Sequence, residues 1–428
     1  MLDAFVNAVK VPDLRKKLLF TLAIIAIYRL GSHIPVPGID VKTARSLTNV
    51  NGGALGLLNL FSGGALTQLA VFALGIMPYI NSSIIMQLLA VVIPKLEAWQ
   101  KEGEVGMKKI TQWTRYLTVG LAVLQSTGLA FLFHRGGLTN ASGNPVDLIP
   151  KFTVARVSLI VLTLTAGTAV IMWFGELITT RGLGNGMSIL IFAAIVAQLP
   201  SEGLGIQQQR GWGWFTLILA LGIGIIVAIV IVEQGQRRIP VQYAKRVVGR
   251  KLYGGTSTYI PLKVNQAGVI PIIFAASVLY FPALISTVVP WTWLTNFLNN
   301  DVVNQGAAFH IALYGLLIVF FTYFYTAITF NPIEVADNMK KYGGFIPGIR
   351  PGRATAEHLD YILTRITLPG SLFLAAVAIL PSIALALLKV TNFPFGGTSI
   401  LITVGVALET MKQLESQLMM RHYEGFLT

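Results

Sequence analysis

Few residues of this chain have the type and spacing that catalysis or metal binding requires. The five histidines are far apart in the sequence, so none forms a pair with the spacing of metal ligands. Cysteine is absent, and neither a P-loop nor a Gly-x-Ser-x-Gly elbow occurs. The sequence therefore predicts that the protein is not an enzyme and uses no metal or cofactor. The histidines are His33, His134, His310, His358 and His422.

Ionisable residues inside apolar stretches are the second place where chemistry could reside. Ion-coupled transporters usually carry such residues deep in their membrane spans. Here Arg29 lies near enough to the outer end of its stretch to extend its charge to the interface. Glu176 and Glu409 lie near ends that the charge pattern assigns to the cytoplasm, and His310 begins its stretch. No proton or ion relay is apparent, which weakens the interpretation as a transporter of small solutes.

The elements that carry these residues are long and apolar. Hydrophobic residues make up 54% of the 428 positions and charged residues 12%, which is about half the charged share of a soluble domain. A membrane-spanning helix needs about 20 mostly apolar residues. We therefore predict an all-α integral membrane protein with ten transmembrane helices. The ten stretches are 18–34, 69–93, 113–133, 154–178, 187–207, 212–232, 267–289, 307–329, 366–388 and 398–415.

The distribution of basic residues predicts the orientation of these helices. Most of the 32 lysines and arginines fall on the side of the N-terminus, and cytoplasmic loops are enriched in such residues. With an even number of spans, both termini are predicted to lie in the cytoplasm. The basic N-terminus also resembles a signal peptide, but no small-x-small cleavage site follows its apolar stretch. We interpret that stretch as a retained first helix.

The chain divides into two halves of five spans, residues 1–207 and 208–428, near the connection at 200–213. With an odd number of spans in each half, the second half is inverted relative to the first, as in many transport proteins. A conduction path would then lie between the halves. No residue-level repeat accompanies this division, so the prediction rests on topology.

An uncharged stretch at 46–94 is too long for a single span. Its first part has glycine pairs at 52–53 and 63–64, which leaves room for only a short helix before the chain enters a true span. Irregular backbone at membrane depth is tolerated only where it is buried in protein or lines a water-filled cavity. We therefore predict a re-entrant segment at about 55–66, either part of a pore or a packing element.

Two predicted cytoplasmic loops, 233–263 and 331–365, are long and rich in arginine and lysine. One interpretation is that these residues only orient the protein in the membrane or attract anionic lipid. They are also suited to dock a large acidic partner, such as ribosomal RNA or a motor protein. Charge alone does not separate these two interpretations.

Ten short motifs run in order from the first span to the last, and together they are specific although each alone is weak. They are IPVPG (34–38), FSGGA (61–65), ALGIMPYI (73–80), RGLGNG (181–186), GQRRI (235–239), YAKR (243–246), NP (331–332), ADN (336–338), PGIRPG (347–352) and GGTS (396–399). In these motifs the chain resembles the SecY family, the central subunits of bacterial protein translocons.

The resemblance implies two five-helix halves around a central hourglass pore. Members of the family have a ring of bulky aliphatic side chains at the waist of the pore. Spacing alone would favour ordinary packing isoleucines at these positions, whereas the motifs favour the ring. An apolar ring can block ions by dewetting while it deforms around a passing chain. By motif match, the ring consists of Ile76, Ile80, Ile191, Ile270 and Ile402.

The resemblance also implies two movable parts. The re-entrant segment corresponds to a plug that closes the outer funnel at rest. A lateral gate lies between spans two and three on one side and spans seven and eight on the other, where polar side chains either pair across the closed gate or help the helices to pack. The plug includes Leu57, Leu58, Asn59, Leu60, Phe61, Ser62, Gly63 and Gly64. The gate residues are Asn81, Ser82, Ser83, Gln87 and Gln125.

Because the chain has no ATPase loop, the resemblance implies that a SecA-like motor ATPase or a translating ribosome drives transport. SecE-like and SecG-like small membrane subunits, unfolded secretory preproteins with their signal sequences, and the lipid bilayer are the other implied partners. The implied location is the bacterial plasma (inner) membrane. The docking residues are Arg237, Arg238, Lys245, Arg246, Arg250, Lys251, Arg350 and Arg353.

Three other classes of protein remain as alternatives. An inverted-repeat transporter of a small solute would need a charged or unwound site at the midplane and would show saturable uptake. An intramembrane enzyme would need a buried nucleophile and base, which the sequence does not offer. A passive assembly scaffold would need no pore at all.

Overall fold

The computed structural model describes residues 10–39, 53–134, 147–149, 152–243, 246–248, 251–253, 257–288, 291–304, 306–388 and 397–424. These residues are mostly helical. By length and composition, five of the described helices can cross a bilayer, or six if one bent pair counts as a single span. The multi-pass membrane character predicted from hydropathy is therefore confirmed at this coarser level.

The N-terminal part contains eight described helices, and prolines and caps explain several of their starts. Pro12 and Pro94 each stand at the first helical position, where the missing N–H costs no hydrogen bond. Asn185 caps the seventh helix by accepting hydrogen bonds from two backbone N–H groups. The helices are α1 (Pro12–Gly31), α2 (Gly53–Ser62), α3 (Met77–Val92), α4 (Pro94–Lys101), α5 (Glu104–His134), α6 (Val154–Arg181), α7 (Gly186–Val196) and α8 (Leu199–Arg210).

The C-terminal part combines long helices with short strands. The helices are α9 (Trp212–Gln234), α10 (Ile270–Val288), α11 (Thr292–Phe297) with a π-helical turn at Leu298–Val302, α12 (Ala308–Thr329), α13 (Pro332–Lys341), α14 (Arg353–Leu388) and α15 (Gly397–Glu424). The strands are β1 (Gln236–Tyr243), β2 (Arg246–Val248), β3 (Lys251–Tyr253), β4 (Ser257–Lys263) and β5 (Gly344–Phe345).

The predicted continuous span at 69–93 is wrong in its first part. Helix α3 begins only at Met77, and the chain before it forms turns in which Gly63, Gly64 and Gly75 have positive φ. Glycine adopts positive φ without steric cost and therefore favours turns. The segment is apolar enough for a membrane span, but its glycines allow turns instead of a helix. Beyond α3, the chain bends by 101° into α4 at the break before Pro94.

Two other boundaries also differ from those that hydropathy predicts. The stretch 187–207 is divided into α7 and α8, with Pro200 in the first turn of α8. Helix α14 begins at Arg353, well before the predicted start at 366, because polar residues that suit an exposed helix extend it beyond the apolar stretch.

The two predicted basic loops form one folded unit, which the all-α prediction missed. Strands β1 and β4 pair in antiparallel fashion from Gln236↔Lys263 to Gln242↔Ser257, and β5 pairs with the other edge of β1. A small apolar core lies beneath this sheet and joins it to α13 and α14. Its buried members are Ile239, Val241, Leu262, Met339, Ile346, Leu359, Ile362 and Leu363.

The main hydrophobic core lies at the centre of the helical body, around the short helix α2. Leu58 and Phe61 of α2 are almost completely buried in it. Side chains from α3, α5, α7, α10, α12 and α15 belong to the same cluster. The molecule therefore packs its long helices around a short one, and α2 contacts α3, α7 and α10 directly.

Candidate functional site

A cavity of about 470 Å³ lies beside the central core. One part of its wall is apolar and includes Ile273 and Phe274 of α10. Another part is polar and includes Thr111 and Arg115 of α5 and Glu176 of α6. The cavity is therefore lined by apolar side chains on one part of its wall and by polar and charged side chains on another.

The five isoleucines predicted to form a ring are all turned towards protein. Ile76, Ile80, Ile191 and Ile402 have at most 8% of their surface exposed, and Ile270 is partly buried against the same cluster. They come from α3 and the turn before it, α7, α10 and α15. Ile80, Ile191 and Ile270 line the cavity, whereas Ile76 and Ile402 lie in the packed core. Four separate segments thus bring branched aliphatic side chains to the centre.

The predicted plug contains the helix α2 and the turn that follows it. Leu58, Asn59, Phe61 and Ser62 are buried and Leu60 is partly buried; the side chain of Leu57 lies outside the described part of the chain. After α2, Gly63 and Gly64 have φ values of 67° and 85°, which turn the chain sharply. A Cβ atom on Gly75 would lie 2.9 Å from the Cα atom of Ser62, so this glycine allows the close approach of the plug.

Arg29 has a hydrogen-bond partner within the protein: its Nη1 donates to the carbonyl oxygen of Gly63 at 2.8 Å. Tyr28, one residue earlier, donates from its hydroxyl to the carbonyl oxygen of Ser62 at 3.1 Å. Sequence analysis did not assign either residue to the site. An arginine in an apolar stretch does signal a buried partner, but not which one.

The predicted gate residues lie on α3 and α5, which pack against each other. Asn81, Ser82 and Gln125 are buried, whereas Ser83 and Gln87 are partly buried and line the cavity. Ser82 donates to the carbonyl oxygen of Pro78 in its own helix, at 2.7 Å. The amide groups of Asn81 and Gln125 have no hydrogen-bond partner among the described residues. Neither amide therefore makes a hydrogen bond across the gate to any residue in the described part of the chain.

An ion pair that the sequence analysis missed stands at the polar wall of the cavity. Arg115 holds Glu176 with two hydrogen bonds, from Nε to Oε1 and from Nη2 to Oε2, each 2.8 Å long. A third bond runs from Nη1 of Arg115 to Oε1 of Gln112 at 3.0 Å. This bidentate geometry ties α5 to α6 beside the cavity.

The predicted docking residues lie on or near the folded unit of β1, β4 and β5. Arg237, Arg238, Arg350 and Arg353 are exposed. The guanidinium group of Arg238 lies over the ring of Tyr259 at 4.8 Å, and Arg353 pairs with Glu357. Arg246 and Lys251 belong to β2 and β3, but their side chains lie outside the described part. Lys245 and Arg250 lie wholly outside it.

The described residues contain no cluster of histidine and carboxylate side chains that could hold a metal ion. The described part of the chain therefore offers a cavity with polar and apolar walls, buried isoleucines at and beside it, and exposed arginines on the folded unit. These parts can conduct or exclude a molecule and can bind an acidic partner.

Comparisons with known proteins give consistent results. A model of the SecY family matches residues 70–411. The chain is 58% identical over 440 residues to the protein translocase subunit SecY of Streptomyces scabiei, and the match covers 100% of both chains.

The fold is also similar to solved structures. One is a SecY protein whose plug domain stabilises the closed state of its translocation channel, with a TM-score of 0.63, 16% identity and coverage of 94% of this chain and 92% of that one. Another is Sec61 in the canine ribosome-channel complex from the endoplasmic reticulum, with a TM-score of 0.63, 15% identity and the same coverage. At these identities the likeness concerns the fold.

Proposed function

The chain belongs to the SecY family, and from this premise we propose that it forms the protein-conducting channel of a bacterial translocase. The channel translocates secretory polypeptides across the plasma membrane and releases transmembrane segments sideways into the lipid. One observation carries this proposal. Isoleucines from separate helices lie at or directly beside a cavity that has both polar and apolar walls.

The proposed architecture is ten membrane spans in two inverted halves, 1–207 and 208–428, with both termini in the cytoplasm. A described helix overlaps each of the ten apolar stretches of the sequence, which supports this count. The bias of lysine and arginine supports the orientation. The pore then runs between the halves, and α2 closes it from the outside.

The apolar constriction explains how one channel serves many substrates. Branched aliphatic side chains offer no hydrogen bond to water or to a passing chain, so a narrow ring of them excludes water and ions when it is empty. The same property makes the ring indifferent to the sequence of the translocating polypeptide. A general conduit requires both of these properties.

Release into the membrane follows from the wall formed by α3 and α5 on one side and by α10 and α12 on the other. A substrate segment that reaches this seam is exposed both to the pore and to lipid, and it can partition between them. The transfer free energy of its side chains then decides the direction: leucine or phenylalanine favours the bilayer, and aspartate or lysine favours the pore. The amides of Asn81 and Gln125 are buried on the α3–α5 side and make no hydrogen bond there among the described residues.

The driving force comes from a partner on the cytoplasmic side. We assign the docking surface to the folded unit of β1, β4 and β5, where Arg237 and Arg350 are exposed. A SecA-like motor or a ribosome has the acidic surface that such a site attracts. SecE-like and SecG-like subunits complete the proposed complex.

Reconstitution tests the proposed function. The protein with its small subunits is placed in vesicles that receive a motor ATPase, ATP and a secretory precursor. We expect the precursor to become resistant to added protease, and resistance to be lost when detergent opens the vesicles. Vesicles without the chain are the control. If the precursor stays sensitive while a small solute is taken up saturably, the chain is a transporter and the proposal is wrong.

A further inference from the structure

The C-terminal end of α2 is held by hydrogen bonds from three side chains that belong to other segments. The hydroxyl of Tyr28 donates to the carbonyl oxygen of Ser62 at 3.1 Å, and Nη1 of Arg29 donates to that of Gly63 at 2.8 Å. From the junction of α7 and α8, Nε2 of Gln198 donates to the carbonyl oxygens of Asn59 at 2.8 Å and Leu60 at 3.3 Å.

These donors act at the end of a helix, where the last four carbonyl groups have no partner within the regular helix and form the negative end of its dipole. The carbonyl oxygens of Asn59, Leu60 and Ser62 also accept hydrogen bonds from the backbone N–H groups of Gly64, Gly63 and Ala65, so Gln198 and Tyr28 add second bonds there. Among the described residues, the carbonyl oxygen of Gly63 accepts its hydrogen bond from Arg29. The positive charge of Arg29 lies where it is favoured by this dipole, one residue beyond Ser62, the last residue of α2.

The donors themselves are fixed by their surroundings. Tyr28 is 2% exposed, and its ring stacks on Phe72 with centroids 5.8 Å apart. Gln198 is 8% exposed. At Gly63 a Cβ atom would lie 3.0 Å from Nη1 of Arg29 and 3.1 Å from the Cα atom of Ala194, so the turn after α2 fits closely between the two. The contact is thus built into the core and is not a chance encounter of mobile side chains.

We propose that Tyr28, Arg29 and Gln198 form a latch that holds the plug in its closed position. This inference rests on the proposed function, and it makes the three residues positioning residues for the resting state. The latch ties α2 to α1 and to the α7–α8 junction, which lie in the same half of the chain. When a substrate opens the two halves, the plug leaves only if these hydrogen bonds break, and water in the outer funnel then hydrates the carbonyl groups and the guanidinium.

The hydrogen bonds of the latch have a strength that suits a plug, which must close the channel at rest and leave it during transport. A hydrogen bond between neutral groups changes a two-state population about 2- to 10-fold, and one that involves a charge changes it by more. Three such contacts keep the open population small, yet leave it within reach of the binding energy of a substrate. We therefore expect each donor to contribute separately to the seal.

The first experiment measures resting ion conductance in bilayers for Tyr28→Phe, Arg29→Met and Gln198→Leu. We expect conductance to rise about 3-fold for Tyr28→Phe and Gln198→Leu, and about 10-fold or more for Arg29→Met. Arg29→Lys retains a charged donor and should restore part of the seal. Tyr314→Phe is the matched control, because the hydroxyl of this buried tyrosine hydrogen-bonds to Thr398 at 2.9 Å, and among the described residues no hydrogen bond joins it to α2.

The second readout follows α2 itself. Since the chain contains no cysteine, Leu58→Cys gives a single thiol at a position that is 0% exposed. We expect a membrane-impermeant maleimide added from the outside to label this thiol several-fold faster in the three latch variants than in the parent or with Tyr314→Phe.

Precursor transport in the same vesicles separates the possible outcomes. If the variants translocate precursor but show parental conductance and parental labelling, the latch proposal is wrong and the proposed function stands. If even the parent fails to translocate precursor, the proposed function is wrong. A variant that neither translocates precursor nor leaks ions is misfolded, and Tyr28→Phe, which removes a single oxygen atom, then decides for or against the latch.

Discussion

Isoleucine at five central positions suits a seal better than a binding site. A side chain with hydroxyl, amide or charged groups would bind water and hold an empty pore wet. Ile76, Ile80, Ile191 and Ile402 are buried against other apolar groups, and Ile270 lies at the cavity wall. At the residue scale, the proposed seal therefore depends on the volume and the apolarity of these side chains.

Replacing all five isoleucines with glycine tests this dependence. We expect the resting ion conductance to rise several-fold, because the constriction becomes wider and exposes polar backbone to water. Conductance is measured in planar bilayers, with intrinsic tryptophan fluorescence as a check on folding. Ile→Leu at the same five positions conserves volume and apolarity and should leave conductance near the parental value. Parental conductance in the glycine variant would disprove the ring.

At the scale of the elements, the sheet that joins the two basic segments indicates how a partner would bind to them. Strand β5, from the segment after α13, adds to the edge of β1, and a shared apolar core lies beneath both. Basic residues that are about a hundred positions apart in sequence therefore stand on one body. A partner that binds this body contacts both segments at once, so each segment should contribute to the same binding event.

Charge reversal at Arg237 and at Arg350 should weaken partner binding to a similar degree. For each single variant to glutamate we expect about a 10-fold or greater loss of affinity for a motor or ribosome, because an attractive contact becomes repulsive. Affinity is measured by co-sedimentation with vesicles at low and at high salt, and the difference should shrink at high salt. Lys108→Glu, outside the unit and paired with Glu104, is the matched control. Equal losses for Lys108→Glu would show a general charge effect instead of a docking surface.

On the scale of the whole molecule, the packing of α2 at the centre distinguishes this protein from a simple helical bundle. A bundle buries its long helices against one another, whereas here they surround a short helix and a cavity. In the proposed channel, closure then depends on local contacts of α2, and the long helices need not be disrupted when the channel opens.

The predicted orientation of the whole chain can be tested with single cysteines. Lys101→Cys lies on α4, where the charge bias predicts the cytoplasm, and Asn140→Cys lies in a connection predicted to be outside. We expect an impermeant maleimide, added to intact spheroplasts, to label the cysteine at 140 and to reach the one at 101 only after lysis. The reverse pattern would contradict the proposed topology.

The sequence alone was sufficient for the family, the membrane character and the approximate position of each apolar helix. These properties depend on composition and on short motifs, which act locally or through the solvent. A short helix in the uncharged stretch was also predictable, because its glycine pairs limit the length of any helix between them. The helix α2 at Gly53–Ser62 agrees with that prediction.

Only the tertiary structure decided which distant groups meet. The bond from Arg29 to Gly63, the pair of Arg115 with Glu176 and the sheet between β1 and β5 all join segments far apart in the chain. The type of a side chain indicates that it needs a hydrogen-bonding or charged partner, but several groups in the chain could be that partner. Packing selects among them, since it places one carbonyl or carboxylate within 3 Å and the others out of reach.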